Sequence, residues 1–219
     1  MNDWIAKIRS ALPVDRGRAD TTPLPTIPMG DPGEHWDASE CQDMFPVLTS
    51  RWEITKIVRP GGIGIELGVS TGLFSDLILR KSALGYLYGV DSYEDRKHPL
   101  EKYRTALVRL APYRARNTIL RMRFDEALTL FPDEYFDFIY VDGCAGNGEE
   151  GGKTFYDWWP KIKRGGVFGG HDYSPDWPRV IEATDRFIAD TGLQMLTVGG
   201  EEDPLDPANR YASWFAVRP

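Results

Sequence analysis

Ile63-Gly64-Ile65-Glu66-Leu67-Gly68-Val69-Ser70-Thr71-Gly72-Leu73-Phe74-Ser75 is the stretch on which the fold turns. A short apolar run ends in an acid, two glycines follow four positions apart, and an amphipathic segment begins: strand, tight turn, helix. In an open parallel sheet, ligands collect outside the carboxyl ends of the strands, so this turn is the first place to look for a site. Its spacing excludes two phosphate-binding turns. A G-x-G-x-x-G fingerprint begun at Gly62-Ile63-Gly64 needs glycine at 67, which is leucine, and a phosphate loop begun at Gly68 needs glycine at 73, also leucine. An acid ahead of a glycine turn that opens a helix suits a ligand with a cationic amino acid end instead. Asp91, 25 positions after Glu66 at the end of the next apolar run, is placed to accept hydrogen bonds from ribose hydroxyls.

Outward from this turn, short apolar runs alternate with helical periodicity. The runs are Ile63–Leu67, Tyr86–Val90, Thr118–Met122, Phe136–Val141, Gly166–Gly170, Leu193–Val198 and Tyr211–Val217. Between them lie Leu73–Ala83, Leu100–Leu110 with Leu100, Tyr103, Leu107 and Leu110 expected on one face, Glu126–Phe131, Lys153–Trp159 and Trp177–Asp190. This alternation predicts an α/β fold, a mainly parallel sheet with helices on both faces. Only a loop, Gly199–Asn209, separates the last two runs, which predicts an antiparallel hairpin at one edge. The first sixty residues read differently: an amphipathic segment with Trp4, Ile5, Ile8 and Leu12, then Pro23, Pro25, Pro28 and Pro32, then acids at 31, 34, 37, 40 and 43 that read as a solvated face. A second amphipathic segment, Val47–Val58, leads to Pro60 and Gly61 at the entry to the main domain. The expected organisation is an N-terminal helical and proline-rich arm over 1–60 and a main domain over 61–219.

Composition limits the partners. A hydrophobic content of 42% with 27% charged residues is that of a globular chain, and a net charge of -7 argues against coating nucleic acid or an anionic membrane. Cys41 and Cys144 belong to no zinc-type cluster, and no apolar stretch approaches a membrane span, so a cytoplasmic protein without membrane insertion is expected. From 97 to 123, eight Lys or Arg face one acid, a local +7 that reads as a solvated helix face and strand edge. Aromatic interleaving for base stacking is missing there, so no nucleic-acid partner is expected.

Glu66, Gly68 and Gly72 match the E/D-x-G-x-x-x-G motif of the class I S-adenosylmethionine (SAM)-dependent methyltransferases, and Asp91 matches their second-strand acid. From Gly62 to Val217 the chain resembles that family. The resemblance implies a Rossmann-like seven-stranded, mainly parallel sheet with a C-terminal antiparallel hairpin, with SAM held by Glu66, Gly68, Ser70, Gly72, Asp91 and Ser92, and with Asp125 toward adenine.

The fourth run ends in Asp142-Gly143 and the fifth in His171-Asp172. On neighbouring strands, about 4.8 Å apart, Asp142 and Asp172 converge with His171 beside them. Such a carboxylate pair repels unless a cation intervenes, and oxygen ligands suit a hard divalent ion such as Mg2+. Together with Trp158-Trp159-Pro160 and Gly165-Gly166-Val167, the pair looks like the metal-dependent sugar O-methyltransferases of macrolide and aminocoumarin type. That resemblance assigns Asp142, His171 and Asp172 to the metal and a small-molecule or glycosidic acceptor to the reaction, with the tryptophans packing on the sheet. Relatives commonly carry a base two or three residues past the strand-four acid, followed by a tyrosine; here Cys144 and Ala145 stand there. His171, Glu149 and Glu150 are the remaining candidates for the proton, with Asp142 and His171 the catalytic pair. A non-catalytic SAM-binding protein is one alternative. A phosphotransferase using Gly152-Lys153-Thr154 is another, although position 147, where a phosphate loop needs glycine, is asparagine. The arm is expected to cover the substrate or a second subunit in a homo-oligomer.

Overall fold

The computed structural model describes residues 48–94 and 99–219. The amphipathic start, the proline arm and the acid series at 31–43 lie outside these residues. Seven strands, β1 (Ile63–Leu67), β2 (Tyr86–Val90), β3 (Asn117–Leu120), β4 (Phe136–Val141), β5 (Ile162–Gly170), β6 (Leu196–Val198) and β7 (Ser213–Val217), form one sheet. Their order is β3-β2-β1-β4-β5-β7-β6. The first five run parallel, and β7 runs antiparallel to both β5 and β6. The Rossmann-like α/β sheet and its edge hairpin are as expected, with β7 inserted between β5 and β6.

Between the strands lie the helices α1 (Leu73–Lys81), α2 (Leu100–Leu110), α3 (Phe124–Leu128), α4 (Lys153–Trp158) and α5 (Pro178–Thr191), with one further single turn, Gly148–Gly151, ahead of α4. The central strand β4 is buried along its whole length, as apolar residues on both of its faces require, and its one acid, Asp137, is buried with them. On one face Phe74, Ile78, Phe138, Tyr140, Val167 and Phe215 pack together with Ile54 and Val58. On the other, Trp158 meets Phe131 and Phe136, while Phe155, Phe168, Phe187 and Trp214 close on one another at centroid separations of 5.1 to 6.5 Å. Trp159 packs edge-on to Phe168. Both tryptophans therefore serve the layer between sheet and helices.

Two details differ from the sequence reading. In α2 the buried positions are Ala106 and Leu110, while Leu100 and Leu107 are 37% and 45% exposed. Leu110 and Ala106 pack under Gly72, where a Cβ would lie 3.2 Å from the leucine, so the helix is rotated to fit the glycine turn. The compact unit also starts at Leu48, inside the expected arm. Arg51–Ile57 form a 3-10 helix whose Ile54 is fully buried, and at its start Glu53 Oε2 accepts from Ser50 N at 3.1 Å and Thr49 N at 2.8 Å. Far from the strand carboxyl ends, Asp137 ties β4 down by accepting from Arg59 Nε at 2.7 Å and Ile63 N at 2.8 Å.

Candidate active site

The carboxyl ends of β1, β4 and β5 are stitched beyond the strands themselves. Gly68 N donates to Val90 O at 2.8 Å, Asp142 N to Leu67 O at 2.7 Å and His171 N to Val141 O at 2.9 Å. Gly68 is indispensable to this closure: its φ is +106°, and a Cβ there would fall 1.8 Å from Asp142 O. Ser70 follows at φ +49°, and its amide donates to Asp91 Oδ2 at 2.9 Å. Tyr93 N donates to Asp91 Oδ1 at 2.9 Å, and the Tyr93 hydroxyl returns to Ser70 O at 2.9 Å. Each Asp91 oxygen thus keeps acceptor capacity for a ligand. A cleft of about 370 Å³ opens here, lined by Gly68, Ser70, Asp91, Ser92, Asp125 and Asp142 among others.

Glu66 is 1% exposed and takes a hydrogen bond from the Ser75 hydroxyl. Burial pushes its carboxyl up to about 8, against the pull of that bond. It lines a second cleft of about 740 Å³, together with Arg51, Leu73, Phe74, Asp172 and Trp177. Gly68, Ser70, Asp142, Gly143 and Cys144 border both clefts.

Asp142, His171 and Asp172 meet at the shared wall, each offering an atom within 4.8 Å of the others. His171 Nε2 lies 3.1 Å from Ala208 O, and because a carbonyl only accepts, that nitrogen carries a proton. Nδ1 then faces Asp172 Oδ1 at 3.0 Å and Asp142 Oδ1 at 3.5 Å. These three atoms are held together by a positive charge between them, either a proton on Nδ1 or a cation in its place. Burial disfavours the imidazolium, but the Asp142 charge outweighs it and raises His171 to about 9. Burial likewise opposes the Asp142 charge, yet His171 and Arg51 hold that carboxyl well below the usual range. Arg51 Nη1 donates to Asp142 Oδ2 at 2.8 Å.

A family model described as a methyltransferase domain matches residues 62–173, just over half of the chain. The chain belongs to this methyltransferase family. No curated protein matches it. Among solved structures, an O-methyltransferase from Bacillus cereus in complex with SAH aligns with a TM-score of 0.57 at 14% identity over 99% of this chain and 89% of its own. A SAM-dependent O-methyltransferase from Thermotoga maritima aligns at 0.55 with 17% identity, over 82% of this chain and 69% of its own. Spermidine synthase from the same organism reaches 0.56 at 12% identity, over 78% and 61%. At such identities the likeness is one of fold, and the fold alone carries more than one chemistry.

Within the methyltransferase, the residues singled out by sequence separate into two groups. Gly68, Ser70, Asp91, Ser92 and Asp125 line the smaller cleft; Asp142 borders both, and Glu66 and Asp172 line the larger. Gly72 lines neither and instead caps α1 in a left-handed conformation. Asp125 is half exposed and paired with Arg123, whose Nε lies 3.0 Å away. Glu149 turns inward: it is 4% exposed, adopts φ +53°, and accepts from Gly143 N at 3.2 Å. Burial raises its carboxyl to about 7. It lines neither cleft, whereas exposed Glu150 borders the smaller one. Lys153 pairs with Asp157 and Thr154 is buried, so the Gly-Lys-Thr triplet begins a helix outside both clefts.

Arg51, Phe124, Trp177, Ala208 and Asp206 went unnoticed in the sequence. Phe124 carried a weak signal as the aromatic residue that opens the helix after β3. Arg51 and Asp206 carried none, since an arginine on an amphipathic segment and an aspartate before proline are ordinary surface patterns. The local +7 is partly internal structure: Arg109 Nη1 donates to Thr71 O at 2.8 Å, and Arg116 holds the Leu79 and Leu84 carbonyls.

Proposed function

We propose that the protein is a SAM-dependent O-methyltransferase, assisted by a divalent cation, that acts on a hydroxyl of a small or sugar-containing acceptor. One observation carries the cation: His171 Nε2 is committed to Ala208 O, so Nδ1, which holds a proton when no ion is bound, faces two carboxylates. Around this point Asp142, Asp172 and Asp206 stand against the guanidinium of Arg51, and once an ion takes the place of the His171 proton the remaining excess of negative charge is one that a dication balances. The donor set, two carboxylate oxygens and one imidazole nitrogen whose other nitrogen is hydrogen-bonded to a backbone carbonyl, has the makeup of a metal site with its outer partner in place.

When bound, SAM supplies an electrophilic methyl group, and a divalent ion lowers the pKa of an acceptor hydroxyl beside it. The protein's share is alignment and exclusion of water. Asp91 and Ser70 present acceptors and a turn for the nucleoside, and Glu66 offers a carboxylate to an ammonium group. Asp142, His171 and Asp172 orient the acceptor oxygen at the wall between the clefts. With Nε2 fixed, His171 has one open nitrogen, so it serves as ligand rather than as ligand and base together. Trp177, half-buried in the larger cleft with its ring 6.2 Å from Tyr211, offers a flat wall to a sugar or ring-bearing acceptor.

Titration calorimetry with SAM tests the cofactor, and the expected outcome is saturable binding that Asp91→Ala abolishes. A folded wild type that binds no SAM would sink the reading. Transfer of labelled methyl groups to a panel of hydroxylated acceptors should stop with EDTA and resume with Mg2+. Activity indifferent to both would remove the cation.

A further inference from the structure

Arg51 is 3% exposed, and its guanidinium is held from two sides. Nε donates to Asp206 Oδ2 at 2.6 Å and Nη2 to Asp206 Oδ1 at 3.1 Å, a two-pronged fork onto a carboxylate that is itself fully buried. Nη1 donates to Asp142 Oδ2 at 2.8 Å, and the guanidinium carbon lies 4.0 Å from the centroid of the Phe74 ring. The backbone is pinned too: Arg51 N donates to Asn209 Oδ1 at 2.8 Å, and the Asn209 amide donates to Thr49 O at 3.2 Å and Glu201 O at 3.0 Å.

The anchoring residues sit at one place in the fold. Asp206 precedes, and Asn209 lies within, the 3-10 turn Pro207–Arg210 between β6 and β7. The same turn presents Ala208 O to His171. The outer partners of both Asp142 and His171 are therefore set by a single turn, and Arg51 and that turn both lie outside the matched residues 62–173.

A guanidinium here has three conceivable uses. Capture of an anionic acceptor is opposed by Asp142 and Asp172, which border the same cleft. Charge balance alone needs no fork, because the compact ammonium of a lysine supplies the same charge. A planar guanidinium with two prongs on one carboxylate and a third hydrogen bond to another instead transmits a direction. We propose that Arg51 is a positioning residue of this site: anchored by Asp206, it takes Asp142 Oδ2 and thereby turns Asp142 Oδ1 toward His171 and Asp172. Its effect on cation binding rests on the function proposed above; its effect on Asp142 rests on geometry alone.

The full-length Arg51→Lys variant tests this, since it keeps the charge and loses the fork. Its crystal structure should show Asp142 rotated, with Oδ1 withdrawn from His171 Nδ1. Paramagnetic resonance with Mn2+ alone should show binding about tenfold weaker than in the wild type, the scale of loss seen when an outer partner of a metal ligand is removed. If that variant does not fold, Arg51→Met combined with Asp206→Leu replaces the buried pair with apolar groups and is read the same way. A merely structural role would lower the melting temperature and leave Asp142 and the Mn2+ affinity as they are, which would overturn the proposal. Should the wild type itself take up no Mn2+, the cation falls, and the Asp142 rotamer in the variant alone decides the role of Arg51.

Discussion

Glu66 and His171 are titratable groups displaced toward neutral pH for opposite reasons, and each makes a prediction. Burial holds Glu66 neutral below about 8, so a ligand ammonium gains its carboxylate partner only as that proton leaves. SAM affinity measured by calorimetry should therefore rise between pH 6 and about 8, and Glu66→Gln should flatten the dependence. His171 is raised from 6.5 to about 9, so without a divalent ion its contribution to stability is complete below pH 6.5 and is lost as pH climbs through 9. An ion taking Nδ1 must displace that proton. Calorimetry of Mg2+ binding at pH 7.5, repeated in buffers of different ionisation enthalpy, should report close to one proton released. Gly68 is set by space rather than charge. Gly68→Ala places a Cβ on Asp142 O in a conformation that disfavours side chains, and should cost about 3 kcal/mol or more, seen as a melting temperature lowered by roughly 6–12 °C. At this scale the glycine turn and the place of the acids at strand ends were legible, because a turn that needs φ > 0 leaves glycine in place and an acid that closes an apolar run stands out in the sequence. Arg51 was not, because its partners are 91 and 155 positions away.

Strands and helices were read well wherever one physical signal dominated. β1, β2, β4 and α2 fall on their expected limits, since continuous apolar runs bounded by glycine or charge have one solution. The rotation of α2 was not visible, because its apolar residues Leu100, Tyr103, Leu107 and Leu110 fit a stripe that the glycine turn at Gly72 displaces toward Ala106. Arg51–Ile57 belong to the amphipathic stretch over 47–58 that leads to Pro60, and Ile54 is fully buried against the core face that holds Phe74 and Phe138. Ile54→Ala should accordingly destabilise by about 2–5 kcal/mol in chemical denaturation, the cost of a buried cavity rather than of a surface change. The layer opposite rests on Phe155, Phe168, Phe187 and Trp214, and it keeps β7 in place beside β5, which in turn holds the turn that bears Ala208.

Across the whole molecule, two clefts share one wall, and the division of their lining residues predicts which properties separate. Trp177 borders the larger cleft, where Glu66 is the SAM-assigned residue that does not also line the smaller one, and it is absent from the cleft of Asp91, Ser92 and Asp125. Trp177→Ala should therefore leave SAM affinity within about twofold while raising the KM for ring-bearing acceptors roughly tenfold. A loss of SAM affinity equal to the loss in KM would show that the clefts are not divided in this way. Most of the strained residues follow the same geography: of the six non-glycine residues with positive φ among those described, Ser70, Tyr93, Glu149, Glu150 and Asp172 lie on the loops that follow strands at this end of the sheet, and only Glu134, ahead of β4, does not. The order of elements, the parallel sheet, the glycine turn and the acids at strand ends were all readable in the chain itself, because hydrophobic periodicity and backbone sterics act over a few residues. The tautomer of His171, the inward turn of Glu149 and the clamp of Arg51 on Asp142 were settled by folding, because each depends on a hydrogen-bond partner or a loss of solvent that exists only once distant segments meet.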